Sequence, residues 1–264
     1  MARISTAASS QKINFGYHAG LDSLAALTIG GWVFFPAAED FSYIVGNVDA
    51  TGNNRFSVQR SGGGFSANTN WLISARNTGV QIGYTTDNAV ALNTWYWVVM
   101  VYDGSLSGDA NRLKLYVDGV QKTLTFFGTI PAAIGASADD VCFFNNEAGG
   151  EFYPSVAVED VKLFNVALTP NELIALSRGG MVRREALTLW PVLWGLHDPE
   201  IDLSGSGATG TLTNAPTRGG GPPRTLYSVK RAHRDPTEPP AGQPTMRRWQ
   251  GIPGMNYQGR TPWR

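Results

Sequence analysis

The chain has one cysteine, Cys142, among 264 residues, so no internal disulfide can support the fold. It lies in "DDVCFFNN", where a small buried apolar side chain is the expectation. Long hydrophobic runs are also lacking. The most apolar window, "LAALTIGGWVFFP", is too short to span a bilayer and ends at Pro36. The opening "MARISTAASSQKINFG" has no apolar core and no cleavage site after one, which predicts a protein made in the cytoplasm without a secretory signal. Only three histidines occur, His18, His197 and His233, all in turn or tail contexts with no elbow-type serine nearby. That pattern predicts loop histidines and no nucleophilic triad. No paired Cys/His spacing suggests zinc, and the glycine run "SGGGF" lacks the lysine and helix of a phosphate cradle.

Net charge is absent too, but only on average. Residues 218–264 carry nine Lys/Arg against two Asp/Glu, a balance of +7, and residues 1–217 carry the opposite −7. An acidic body with a basic tail suggests that the two meet different surfaces.

What the chain has in quantity is glycine (31), proline (15) and aromatics (11%). Short β-branched and aromatic segments alternate with Gly, Asn and Asp turns: "KINFG", "LTIGGWVFF", "SYIVGNV", "NRFSVQR", "WLISAR", "VQIGYTT", "WYWVVMVYDG", "RLKLYVDG", "VQKTLTF", "DDVCFFN" and "SVAVEDVKLFN". This is the pattern of an all-β sandwich or barrel. In "RLKLYVDGVQKTL", Leu113, Leu115 and Val117 alternate with Lys114 and Tyr116, and Asp118-Gly119 is the preferred pair of a two-residue type I′ hairpin. One helix is expected, about 169–178 in "TPNELIALSRG", with Thr169 as N-cap, Pro170 opening it, Glu172 completing a capping box and Gly179 ending it. "LTLWPVLWG" then predicts a returning strand at about 187–194, and the turn-rich "DPEIDLSGSGATGTLTNAPT" could line a sheet edge. The body is thus read as 1–217 and a Pro/Gly-rich extended arm as 218–264.

Four of these segments together, "LTIGGWVFFP", "NTWYWVVMVYDG", "LKLYVDGVQKT" and "VEDVKLFNVALTPNEL", resemble in order and spacing the laminin-G-like, concanavalin A-like jelly-roll domains. The resemblance covers roughly Lys12 to Arg178 and implies two antiparallel sheets packed face to face. A narrower one concerns "LTLWPVLWGLHDPEIDLSGSGATGTLTNAPT", which is similar to the C-terminal extension of laminin-G-like proteins from tailed bacteriophages. It implies a virion-associated protein.

Candidate chemistry follows from the same residues. Jelly-roll glucanases place their acids in an E-x-D-x-x-E arrangement, which is absent; Glu159 and Asp160 are adjacent and should face opposite sides of a strand. A non-enzymatic role is therefore expected. Sugar binding would use an exposed aromatic platform, for which Trp71 with Asn68 and Asn70 is the candidate, whereas Trp95 and Trp97 read as a core pair on one strand face. Calcium would be held by loop oxygens: Asp49, Asn53 and Asn54 first, with Asp87, Asn145, Asn146 and Glu147 as further donors. The same residues are what β-turns demand. In the tail, Arg224, Tyr227, Lys230, Arg231, Arg247, Arg248, Trp249, Tyr257 and Trp263 are candidate contacts to a partner. The arm is expected to tie the body to capsid or other virion proteins and to sister subunits in a homo-oligomer, and less readily to nucleic acid. The two functional expectations are a capsid decoration protein on the virion surface and a lectin-like module that binds cell-surface glycans.

Overall fold

The computed structural model describes residues 1–48, 54–62, 65–145 and 154–222. The chain divides into two units, Met1–Pro223 and Arg224–Arg264; the candidate arm residues all belong to the second and lie outside the described residues.

In chain order the first strands are β1 (Ala2–Ser5), β2 (Lys12–Tyr17), β3 (Ala26–Phe34), β4 (Tyr43–Val48), β5 (Asn54–Arg60), β6 (Trp71–Ala75) and β7 (Ile82–Tyr84). Then come β8 (Trp95–Asp103), helix α1 (Asp109–Arg112), β9 (Leu113–Val117), β10 (Val120–Lys122), β11 (Thr125–Phe127), β12 (Asp140–Phe143) and β13 (Val156–Phe164). Helix α2 (Pro170–Ser177), β14 (Leu187–Leu189), β15 (Glu200–Ile201), β16 (Thr209–Thr213) and β17 (Thr217–Gly219) complete the described elements. Sheet A has the order β10-β9-β8-β3-β13-β1-β17 with β14 beside β13; sheet B has the order β11-β7-β6-β5-β4-β12-β2-β16-β15. The strand pairings among the described residues are antiparallel, as the expected jelly-roll requires.

One core lies between the sheets, formed by Ile29, Val33, Val98, Met100, Leu115 and Val158 from sheet A and Ile13, Val45, Phe56, Val58, Ile73 and Phe143 from sheet B. A second lies on the outer face of sheet A, where α2 sets Leu173 and Leu176 against Trp97, Val99 and Val101. The tryptophan expectation changes accordingly. Trp97 belongs to this helix-covered face beside Trp32, and it is Tyr96 that enters the main core.

The cap and turn chemistry is realised. Thr169 and Glu172 form the capping box, with Thr169 N–H donating to Glu172 Oε2 at 2.8 Å, and Gly179 takes φ +80° just beyond the helix. Asp118 and Gly119 have φ of +51° and +81° and close a two-residue hairpin in which Val120 pairs with Val117. Asp118 also accepts from Trp97 N–H through Oδ1 at 2.9 Å, tying the hairpin to β8.

Three expectations shift. A second, single-turn helix, α1, occupies "DANR". The returning strand is only Leu187–Leu189, because Pro191 cannot donate to a ladder and joins the structure through a single bridge to Asp202. The folded body also runs past residue 217: β17 pairs with β1 through Thr217, Arg218 and Gly219. A buried ion pair fastens this last stretch, since Arg3 Nε donates to Glu200 while its other nitrogens reach the Pro216 and His197 carbonyls.

Gly119 has no heavy atom within 4 Å of a would-be Cβ, so its substitution tests backbone conformation alone. Gly119→Ala should cost about 1–2 kcal/mol in chemical denaturation, the penalty of holding an L-residue left-handed. Asp118→Asn, which tolerates the same conformation, should cost far less.

Candidate functional site

Strand register decides which side chains sheet B turns outward. Ile73, Val58, Val45, Phe143 and Ile13 form one continuous cross-strand row and all belong to the main core. The neighbouring row therefore faces away from sheet A. It runs Phe127–Ile82–Ser74–Ser57–Gly46–Cys142–Asn14–Thr211. Sheet A turns an apolar outer face to a helix, whereas sheet B carries serines, an asparagine and a threonine in the equivalent place. Ser57 and Ser74 are fully buried and share a hydrogen bond of 2.8 Å.

Tyr43 crosses this face. A Cβ on Gly46 would meet the Tyr43 hydroxyl at 2.1 Å and the Phe56 carbonyl at 2.4 Å, so only glycine lets the phenol lie there. Two arginines continue the β5–β6 register, with Arg76 N–H donating to the Arg55 carbonyl at 2.8 Å. At the β11 edge, Phe127 packs edge-on against Phe65, which in turn meets Phe41.

A recess among the described residues adjoins the other border of sheet B. It is a cleft of about 370 Å³ lined by Phe15, Tyr17, His18, Gly20, Thr188 and Ser206, among others. Tyr17 is 50% exposed, and its hydroxyl lies 3.2 Å from Asp22 Oδ2. The Nε2 of His18 is sealed from solvent and has no hydrogen-bond partner. Burial pushes the His18 imidazole below its usual value, against the pull of Asp202, the Phe15 backbone and Asp140. Asp202 anchors Ser206 of the opposite wall. It accepts from Trp190 N–H at 2.6 Å and from Ser206 Oγ at 2.7 Å, and these bonds with those from Ser204 outweigh burial and hold its carboxyl low. Gly20 lets the Ala19–Leu21 turn approach Thr188, whose methyl would stand 2.9 Å from a Cβ there.

The sequence candidates fare differently. Trp71 is fully buried against Phe35 and Tyr96 and cannot serve as a platform. Its position explains this: it heads the inward set Trp71, Ile73 and Ala75. Asn70 is 3% exposed, its Oδ1 accepting from Asn88 N–H and its Nδ2 donating to Ser66. Asn68 is half-buried and offers its carbonyl to the buried Arg60. These three residues stabilise a loop. His18, expected to be a solvated loop residue, instead lines the cleft. Asp49, Asn53, Asn146 and Glu147 lie outside the described residues, as does the side chain of Asn54. Asp87 is paired with Lys122 at 3.2 Å, and Asn145 is buried. Among the described residues no cluster of three or more His, Cys, Asp or Glu could hold a metal ion, and no helix is long and apolar enough to cross a membrane. Glu159 takes the Met1 ammonium at 3.3 Å, whereas Asp160 accepts from Lys162 at 2.5 Å and Trp190 Nε1 at 2.7 Å. The adjacent acids have separate partners.

A sandwich of two antiparallel sheets with a helix across one of them defines the class of the concanavalin-like β-sandwiches. The chain belongs to the Concanavalin A-like lectin/glucanases superfamily, whose laminin-G-type family model matches residues 7–174. Among solved structures it is similar to a Bacteroides ovatus protein described as carbohydrate-binding, at 17% identity and a TM-score of 0.61, covering 80% of this chain and 57% of that one. It is also similar to a heptameric SAP-like pentraxin from Limulus polyphemus, at 17% identity and a TM-score of 0.46, covering 82% of this chain and 95% of that one. A sialyllactose-bound CBM40 of a Ruminococcus gnavus sialidase follows, at 17% identity and a TM-score of 0.45, covering 62% and 92%. No curated protein matches the chain.

The state of His18 gives a measurable pH dependence. Its folded value lies below the unfolded 6.5, so folding favours the neutral imidazole. The stability it contributes is complete above 6.5 and is lost as the pH falls through 6.5 toward the folded value. Thermal midpoints measured between pH 7.5 and 5 should fall less steeply in His18→Asn than in the parent chain.

Proposed function

We propose that the protein is a non-catalytic carbohydrate-binding module that holds a sugar residue in the Tyr17–His18 cleft. The observation that carries this reading is the half-exposed Tyr17 ring in a cleft that the polar side chains of Thr188 and Ser206 also line. A pyranose offers an apolar C–H face for the ring and hydroxyls that can bond with Ser206 and Thr188. Membership of a superfamily of lectins and glucanases supports the reading, and so does the partnering of Glu159 and Asp160 with separate groups. Glycan-array screening of the full chain followed by calorimetry on the best binder tests it. Tyr17→Ala should weaken binding by about tenfold or more, one aromatic contact's worth, without lowering the thermal midpoint. Tyr17→Phe should retain most of the affinity. A chain that binds no glycan, or binds equally well as Tyr17→Ala, would sink the proposal.

The division of charge supports a second reading, compatible with the first. In it the body is a virion accessory protein, a capsid decoration module at the particle surface, docked on acidic capsid proteins or sister subunits through its basic C-terminal residues. Such a segment gains order and affinity from its partner. Because β17 belongs to the folded body, the test is removal of Arg224–Arg264 and not of everything after residue 217. Particle association should disappear while the thermal midpoint of the body stays unchanged; unaltered association would refute the docking role.

A further inference from the structure

We propose that the open border between β10 and β11 is a second sugar site, which takes a neutral pyranose and lets a single chain hold two glycans at once. The inference goes beyond the Tyr17 cleft and rests on the lectin reading.

The two borders of the sandwich are finished differently. On one side β1 of sheet A and β15 of sheet B are joined by the buried Arg3–Glu200 pair. On the other, β10 ends sheet A and β11 ends sheet B, and residues 123 and 124 carry the chain across. A cleft of about 270 Å³ opens there, lined by Leu113, Gln121, Lys122, Thr123, Leu124 and Phe126, among others. Its floor is the end of the main core: Leu113 is buried, and Leu124 and Phe126 are half-buried against it. A Cβ on Gly83 would stand 3.0 Å from Leu124 and 3.1 Å from Phe126, so the glycine gives both side chains room against β7.

Three properties of the cleft decide what it can hold. It is amphipathic, with Gln121 and Thr123 exposed above the apolar floor. A purely apolar ligand would strip water from these groups and from Lys122 without replacing it, which is costly. The cleft is also electrically balanced. Lys122 is the one charged residue of the lining, and its Nζ lies 3.2 Å from the half-exposed carboxylate of Asp87. A ligand carboxylate would have to displace Asp87, and a ligand ammonium would have to displace Lys122. Finally, donors and acceptors stand side by side. Lys122 donates, Asp87 accepts and Thr123 does either, while Gln121 Oε1 accepts from the Tyr116 hydroxyl at 3.1 Å and leaves its amide N–H groups to donate. A pyranose answers all three properties. It offers a C–H face to the Phe126 ring and hydroxyls to the ammonium, carboxylate and amide, and it brings no charge to break the pair.

β11 and β2 are six strands apart in sheet B, about 29 Å at the usual strand spacing, so the two clefts can be perturbed separately. The test follows backbone amide shifts of the isotope-labelled full chain during titration with the methyl glycosides of glucose, galactose, mannose and N-acetylglucosamine. Methyl glucuronide and glucosamine serve as charged controls. At least one neutral glycoside should shift the amides of Gln121, Thr123 and Phe126 as well as that of Tyr17, with separate affinities. Gln121→Ala and Thr123→Ala, both at exposed positions, should each weaken binding here about fivefold, one hydrogen bond's worth, and leave binding at Tyr17 unchanged. Tyr17→Ala should do the reverse. The charged sugars should bind here no more tightly than the neutral ones. Shifts confined to the Tyr17 cleft would overturn this proposal and leave the lectin reading intact. Tighter binding of the glucuronide than of the glucoside here would overturn the neutral assignment, and no shift at either cleft with any of these sugars would overturn both readings.

Discussion

Every surface of functional interest depends on the apolar row that sheet B turns toward sheet A. Ile73, Val58, Val45, Phe143 and Ile13 sit in register across five strands, and burying them is the dominant favourable term available to the sandwich. Side chains alternate, so that burial dictates the identity of the opposite face residue by residue. A one-residue slip would place Ser57, Ser74 and Cys142 in the core and send the valines outward. The polar face is therefore as strongly determined as the core, although its own interactions contribute little.

Two local departures from this regularity create the chemistry. At β4 the register shifts between Tyr43 and Val45, and the irregularity lets Tyr43 run along the outer face over Gly46. At β13 the register shifts between Glu159 and Lys162, and Asp160 adopts φ +54°. The second departure sends the adjacent acids to different partners, with Lys162 lying over the Trp190 ring at 4.6 Å. Bulges redirect side chains without altering the strands around them.

These particulars show how far the sequence could be read. The Asp118-Gly119 turn and the Thr169 cap were legible because their chemistry is local: the residues involved lie within a few positions of one another. The buried state of Trp71 was also legible in principle from the alternation Trp71, Ile73, Ala75, but the polar "ANTN" before it favoured an exposed reading. β15, β16 and β17 were harder. Their sequences are rich in Gly, Ser and Thr; β16 and β17 become strands only because β2 and β1 offer unpaired edges, and β15 then pairs with β16. The cleft at His18 was illegible, since its walls come from residues 15–20, 188 and 206–208 and meet only through that edge pairing. Arg76 and Tyr43 are 33 positions apart and meet through a bulge that no periodicity announces.

The stretch from Glu200 to Gly219 has a further consequence. It lays β15 and β16 beyond β2 in one sheet and β17 beyond β1 in the other, so a single short segment covers a border of both. A piece of the chain ending with the family match at residue 174 would leave β1 and β2 with open rows of backbone donors and acceptors. Open rows of that kind recruit other chains. In this protein the segment that looks most like a linker is thus what keeps two sheets from becoming templates for self-association.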